Sequence, residues 1–185
     1  SEVFHIDIET NERNKSFEGI MPIYALLNEK KFNRDSLIIG LGGGITTDMA
    51  GFVASSYLRG IDLIQIPTTL LAQVDAAIGG KTGINFSGSK NNIGAFYQPE
   101  LVLVDTSSLK SLPEKDFTDG LAEIIKHSLI ADNNLFQRLE NIFLNGNNLS
   151  EEELIQVIYE SSLIKAFIVS NDEKEKGDRA LLNFG

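Results

Sequence analysis

Cysteine is absent from the chain, which excludes both a disulfide framework and a thiolate metal site and leaves no redox clue to compartment. Histidine is scarce: His5 and His127 are the whole supply, too few for a His-rich zinc site. No apolar run approaches the roughly 20 residues needed to cross a bilayer, and the first residues lack the basic start and apolar stretch of a signal peptide. A cytoplasmic protein with no membrane partner is expected. Positive charge is also in deficit, since 16 Lys and Arg face 26 Asp and Glu for a net charge of −10. That balance argues against a nucleic-acid surface, so any phosphate site must be a local basic pocket.

What is present is ordinary for a soluble globular protein: 185 residues, 42% apolar and 23% charged, enough for one large or two small domains. Phe17, Ile20, Met21, Tyr24 and Leu27 recur at helical spacing, which predicts an amphipathic helix running to about residue 31. Apolar runs at 37–41, 63–66 and 101–104 suit strands of a parallel sheet buried on both faces, and residues 3–8 supply at most one more. After Pro113 the texture becomes helical, over 117–131, 133–144 and 150–170, with a break at 145–148 and a capping box of Ser150 with Glu153. The expected fold class is therefore α/β: an N-terminal parallel-sheet domain over 1–112, followed by an all-helical domain over 113–185. The last helix stands without a closing element, so this second domain reads as incomplete.

Glycine is concentrated where chemistry is expected. Gly42-Gly43-Gly44 end the first strand, and Thr46 or Thr47 is the expected N-cap of a helix running to about Tyr57, so bare amides would face an anion at this turn. A tight turn needing positive φ explains the same glycines. The dinucleotide fingerprint is not met, because Ile45 and Thr47 stand where its last glycine would fall. Asp48, just inside the helix, reads either as a carboxylate stabilised by the helix dipole or as a ribose or nicotinamide binder. Lys81, Lys90 and Asn91 lie in a stretch too rich in Gly, Ser and Asn to be regular structure. Together with Asp75, they would suit a polyhydroxylated, phosphorylated ligand, although lysines in such loops are usually solvated.

Glu123 and Lys126 share one face of an expected helix whose other residues are mostly apolar. Burial is therefore expected, and a buried Glu must be paired, protonated or metal-bound. His127 points about 100° away from Lys126 and reads as a packing residue. Lys165, inside another apolar helix, and Arg179 could together grip a carboxylate or phosphate.

Taken jointly, a set of motifs resembles the 3-dehydroquinate synthases, a branch of the sugar phosphate cyclase family, over nearly the whole chain. They are Gly42-Gly43-Gly44 with Asp48-x2-Gly51-Phe52, Tyr57-Leu58-Arg59-Gly60, and Gln65-x-Pro67-Thr68-Thr69-Leu70-Leu71-Ala72-Gln73-Val74-Asp75. Gly79-Gly80-Lys81-Thr82-Gly83, Lys90-Asn91-x-Ile93-Gly94-Ala95-Phe96, Gly120-Leu121-Ala122-Glu123-x2-Lys126 and Asp172-Glu173-Lys174-Glu175 complete the set.

The resemblance implies an α/β NAD-binding domain followed by a helical metal- and substrate-binding domain. It implies NAD across Glu12, Lys15, Gly42, Gly43, Gly44, Ile45, Thr46, Thr47, Asp48, Thr68, Thr69, Lys81, Lys90 and the segment Ser108, Leu109, Lys110, Ser111. Glu123 would be a ligand of zinc or cobalt. Asp75, Lys81, Asn91, Lys126, Lys165, Arg179 and Asn183 would line the substrate pocket, and Arg59 would reach the phosphate bound by a neighbouring subunit, which implies a homodimer. The implied substrate is 3-deoxy-D-arabino-heptulosonate 7-phosphate. Transient oxidation by NAD would acidify a neighbouring carbon, phosphate would leave, the hydride would return, and the opened ring would close by an aldol step to give 3-dehydroquinate for aromatic amino acid biosynthesis.

Two departures from the family pattern stand out. Thr47 replaces a usual glycine, and the chain stops at Asn183-Phe184-Gly185, before the family's metal-binding histidines. An internal piece, inactive as given and also lacking the first strands, is the resulting expectation. The rival readings are another sugar phosphate cyclase making an inosose or valiolone, a metal-dependent alcohol or glycerol dehydrogenase that would release NADH, and a non-catalytic nucleotide-binding domain.

Overall fold

A computed structural model describes residues 2–146 and 148–184. Asn147, part of the expected break, and the terminal Gly185 lie outside the described residues. The fold is α/β, as the sequence leads one to expect. Packing gathers the chain into two compact units that do not follow a single cut at 112: one holds the residues up to Ile66 and Gly80–Leu103, the other Pro67–Gly79 and the residues from Val104 onward. The physical reason is that Leu70, Val74 and Leu109, early in the chain, bury themselves with Ile124, Leu135, Leu139, Val157 and Ile158 of the later helices.

In the first unit, residues 2–10 form neither helix nor strand. Helix α1 (Phe17–Glu29) starts at Ser16, whose Oγ accepts from the Gly19 amide, and buries Ile20 and Leu27. Strands β1 (Leu37–Gly42), β2 (Asp62–Pro67) and β5 (Leu101–Val102) form a three-stranded sheet in the order β1-β2-β5. β2 and β5 run parallel, with Ile64 opposite Leu101. The last strand is shorter than expected. Helix α2 (Gly44–Ser56) packs Met49 and Val53 into one core cluster and Ala50 and Ala54 into another.

The stretch around Lys81 to Asn91 corrects the expectation of irregular structure. It is an antiparallel hairpin of β3 (Lys81–Phe86) and β4 (Ser89–Phe96), paired from Lys81 opposite Phe96 to Ile84 opposite Ile93, with a bulge before Phe86 meets Ser89. The connection is the two-residue turn Ser87-Gly88, both residues at positive φ, which suits the right-handed twist of a hairpin.

The second unit is helical: α3 (Glu114–Ala131), α4 (Asn133–Leu144) and α5 (Glu151–Asn171), preceded by a π-helical turn at Ala72–Ala76 and a 3-10 segment at Thr106–Ser111. α3 begins three residues before the expected start, with Pro113 at its N-cap. The capping box closes α5 as the sequence implies, since the Ser150 Oγ accepts from the Glu153 amide and the Glu153 carboxylate accepts from the Ser150 amide. Among the described residues, no helix is long and apolar enough to cross a membrane.

Candidate functional site

In the first unit, the glycine turn opens α2 earlier than expected. Gly43, extended at φ −77°, is the N-cap and offers no side-chain hydrogen bond. Thr46 and Thr47 lie inside the helix, which corrects their assignment as caps: the Thr47 hydroxyl is turned back to donate to the Gly44 carbonyl at 3.0 Å. With no side chain to satisfy them, the first-turn amides at Gly44, Ile45 and Thr46 are placed as an anion would use them. Gly42 has to be glycine, because a Cβ there would stand 2.5 Å from the Thr46 Oγ1.

The same unit draws several expected cofactor residues into one polar chain. Buried Lys15 donates to the Asp48 Oδ2 and to the Asn91 Oδ1, both at 2.5 Å. The Asn91 amide donates to the Asn85 Oδ1, and the Asn85 side-chain amide donates to the Glu12 Oε2 at 2.8 Å. Glu12 also pairs with Lys90 at 3.3 Å. The bond from Asn85, with help from Lys90, holds the Glu12 carboxyl below the usual carboxylate range against the opposing effect of burial. Asn91 takes a left-handed φ of 53° in β4, a conformation asparagine tolerates better than most residues. Lys81 opens β3 on the exposed side, and Arg59 stands exposed after α2 at φ 72°.

In the second unit, Thr69 caps the helical turn, its Oγ1 accepting from the Ala72 amide at 3.2 Å, and the turn widens to π geometry over Ala72–Ala76. That extra residue in the turn delivers Asp75. The Asp75 carboxylate is met by Lys165 from α5, whose ammonium bonds both an Asp75 carboxylate oxygen and, at 2.8 Å, the Asp75 carbonyl. Burial works to raise the Asp75 pKa, yet the Lys165 ammonium overcomes it and the carboxyl sits below its ordinary value. Burial likewise pulls Lys165 below an ordinary lysine, with Asp75 opposing.

α3 supplies the facing groups. Gly120 lets this helix close on the turn, since a Cβ there would come within 2.6 Å of Leu70 side-chain atoms and 2.7 Å of the Leu71 nitrogen. One turn on, Glu123 Oε2 lies in ion-pair contact with Lys126 but outside hydrogen-bond geometry, and this buried oxygen has no hydrogen-bond partner. His127 is fully buried. Its Nδ1 shares a 2.8 Å hydrogen bond with the Ser161 Oγ, while Nε2 has no partner and stands 3.8 Å from the Asp75 Oδ1. Desolvation pushes the His127 pKa down to about 4, so the ring is neutral near pH 7. Asp75, Glu123 and His127 each bring one ligand atom within 4.8 Å of the others.

The sequence reads His127 as a packing residue, and its burial fits that; its offset of four from Glu123 also puts the two on one face of α3. Gln73, within the Gln65–Asp75 motif, has a structural task. Fully buried, it donates to the Pro67 and Asp105 carbonyls and to the Ser108 Oγ, tying the turn to the 3-10 segment. In that segment, Leu109 is core, Lys110 pairs with Glu151 at 3.4 Å, and Ser111 is exposed. Arg179 is buried with its guanidinium on the Gly79 and Glu173 carbonyls, and Asn183 donates to the Glu175 Oε1 at 2.7 Å.

Against this geometry the comparisons are consistent. Residues 5–119 match the family model described as 3-dehydroquinate synthase N-terminal, and residues 120–185 match the C-terminal one. A 3-dehydroquinate synthase of Prochlorococcus marinus is 52% identical over 180 residues, covering 96% of this chain and 49% of the relative. A 2-epi-5-epi-valiolone synthase from Streptomyces hygroscopicus, solved with NAD+ and Zn2+, superposes with a TM-score of 0.88 at 30% identity, over 96% of this chain and 50% of that one. A 2-deoxy-scyllo-inosose synthase complexed with carbaglucose-6-phosphate, NAD+ and Co2+ gives 0.81 at 26% identity, over 95% and 48%. The chain thus spans about half the length of the curated relatives it matches.

Proposed function

This chain belongs to the 3-dehydroquinate synthase family, and we propose that its protein converts 3-deoxy-D-arabino-heptulosonate 7-phosphate into 3-dehydroquinate and phosphate in the cytoplasm, using NAD and a divalent metal. One observation carries the reading: Asp75, Lys165, Glu123, Lys126 and His127 converge from three elements of one unit. Two buried donor atoms in that cluster lack hydrogen-bond partners.

Those atoms, Glu123 Oε2 and His127 Nε2, are of the oxygen and nitrogen types that zinc and cobalt accept, and Glu123 would hold the metal. The uncapped start of α2 suits the pyrophosphate of NAD, with Lys15, Asp48, Glu12 and Lys90 orienting the rest of the cofactor. When bound, NAD would accept and return a hydride while the metal polarises the oxygen of the reacting carbon.

The chain's own residues would do the rest. Asp75, kept ionised by Lys165, would accept from a substrate hydroxyl. Lys126 and Lys165 would hold anionic groups of the substrate in register, joined by Arg179 and Asn183 of the same unit. Arg59, exposed beyond α2, would serve the neighbouring subunit of a homodimer. Identity favours this reading over an inosose or valiolone synthase, at 52% to a dehydroquinate synthase against 30% and 26% to those cyclases.

The test is isothermal titration of NAD into this chain, with Asp48→Ala as a control of verified fold. Binding that the control loses is expected. A folded chain that takes up no NAD overturns the cofactor assignment.

A further inference from the structure

We propose that Ser161 and His127 are positioning residues for Asp75: the Ser161 hydroxyl donates to the His127 Nδ1, the ring proton is thereby kept on Nε2, and that N–H faces the Asp75 carboxylate. The inference rests on Asp75 being the carboxylate that accepts from a substrate hydroxyl, and it adds how that group is held.

The ring has one proton to place. Desolvation above all, then the Lys165 and Lys126 ammonium groups, keep His127 from taking a second near pH 7, although Asp75 pulls the other way. His127 and Ser161 are both 0% exposed, and their 2.8 Å hydrogen bond can run in either direction, since a hydroxyl donates or accepts. Charge breaks the tie. Nε2 has no hydrogen-bond partner and stands 3.8 Å from the Asp75 Oδ1, too far for a hydrogen bond but close enough to feel the charge. A lone pair aimed at a carboxylate is repelled and an N–H is attracted, so the proton belongs on Nε2. Nδ1 is then the acceptor and Ser161 the donor. A carboxylate oxygen of Glu123 lies within 4.8 Å of the same cluster and acts in the same sense.

Helix α5 thus holds the π-helical turn at three places. Ser161 acts through His127, Ser162 donates to the Gln73 carbonyl at 3.4 Å, and Lys165 bonds the Asp75 carbonyl at 2.8 Å together with Oδ1. Lys165 and His127 approach the same carboxylate oxygen, which assigns Oδ2 to the substrate hydroxyl. With its proton on Nε2, the ring offers no lone pair there to a metal, and Glu123 is left as the metal-facing group of the cluster.

The experiment labels the histidine rings of the 185-residue chain with nitrogen-15 and reads both ring nitrogens by long-range proton–nitrogen NMR at pH 7, without ligand. His5 is the other histidine, and His5→Gln assigns the signals. A proton on Nε2 and none on Nδ1 is expected; an Nδ1–H ring or a doubly protonated one overturns the proposal. In Asp75→Asn the ratio of Nε2–H to Nδ1–H is expected to fall roughly tenfold or more, as loss of a charged partner brings. An unchanged ratio in that variant, its fold checked by circular dichroism, overturns the link to Asp75. The parent measurement needs no variant, so it decides even where Asp75→Asn fails to fold. His127→Gln, whose amide reaches the place of Nε2, is expected to keep the parent's carbon-13 shift at the Asp75 carboxyl, and His127→Asn, whose amide stops at the place of Nδ1, to move it. Equal shifts in the two overturn the positioning role. No ligand enters these measurements, so their failure is distinct from failure of the functional reading, which the NAD titration decides.

Discussion

Lys15 and Asp48, 33 residues apart, meet at 2.5 Å with the lysine side chain 5% exposed and the aspartate 20%. A cation that deep is held by its carboxylate. Stranding one member of a buried pair costs roughly 3–5 kcal/mol, and the partial exposure of Asp48 together with the remaining bond to Asn91 tempers this. We expect Asp48→Asn to lower unfolding free energy by about 2–4 kcal/mol in urea titrations, and Lys15→Met on top of it to restore part of the loss. A single variant of unchanged stability would contradict the buried-pair account.

Gly120 faces backbone, which cannot step aside. A methyl group there would meet the Leu71 nitrogen at 2.7 Å, so Gly120→Ala should push α3 off the turn that carries Asp75. Overpacking of this kind costs about 1–3 kcal/mol. A thermal scan should show a lower midpoint, whereas a variant as stable as the parent would mean that α3 yields without cost.

Asp172, the C-cap of α5, accepts from the amides of Lys176, Gly177 and Arg179. These bonds, Lys176 foremost, hold its carboxyl below the ordinary 3.8. The folded chain therefore binds this proton less tightly than the unfolded chain. The ordering that Asp172 provides is complete above that ordinary value and is lost as the pH falls through the lower folded one. NMR titration should find Asp172 below 3.8, with amide protection at Lys176, Gly177 and Arg179 fading in step. Asp172→Asn should lose much of that protection at every pH.

Ser150 starts α5 through its capping box. Ser150→Ala removes the acceptor of the Glu153 amide, for an expected loss of about 1 kcal/mol. Chemical denaturation reads it directly, and Glu153→Gln should cost less because the amide can still accept from the Ser150 backbone.

Most helices were legible because they carry their own signals. Ser150 with Glu153 forms a capping box, and the apolar residues of α1 recur at a helical period. The hairpin of β3 and β4 was not, since Gly83, Ser87, Gly88 and Asn91 read locally as loop and the pairing that overrides them lies across the strands. The start of α2 was misplaced because Gly43 caps it without a side chain, so no residue type announced it. The candidate site was half legible. Glu123, Lys126, Asp75 and Lys165 were each singled out, but the joining of Asp75 to Lys165 across 90 residues is a tertiary fact.

The interleaving of the two units sets an order for folding. Leu70 and Val74 are synthesised more than 30 residues before α3, and the hairpin of the other unit comes between. On a growing chain, these apolar side chains leave the ribosome before most of their final neighbours, which come with α3, α4 and α5. The sheet and hairpin, by contrast, can close as soon as Leu103 has emerged. The helical unit is thus expected to close last, and severing the chain near residue 112 would divide its core between the two products.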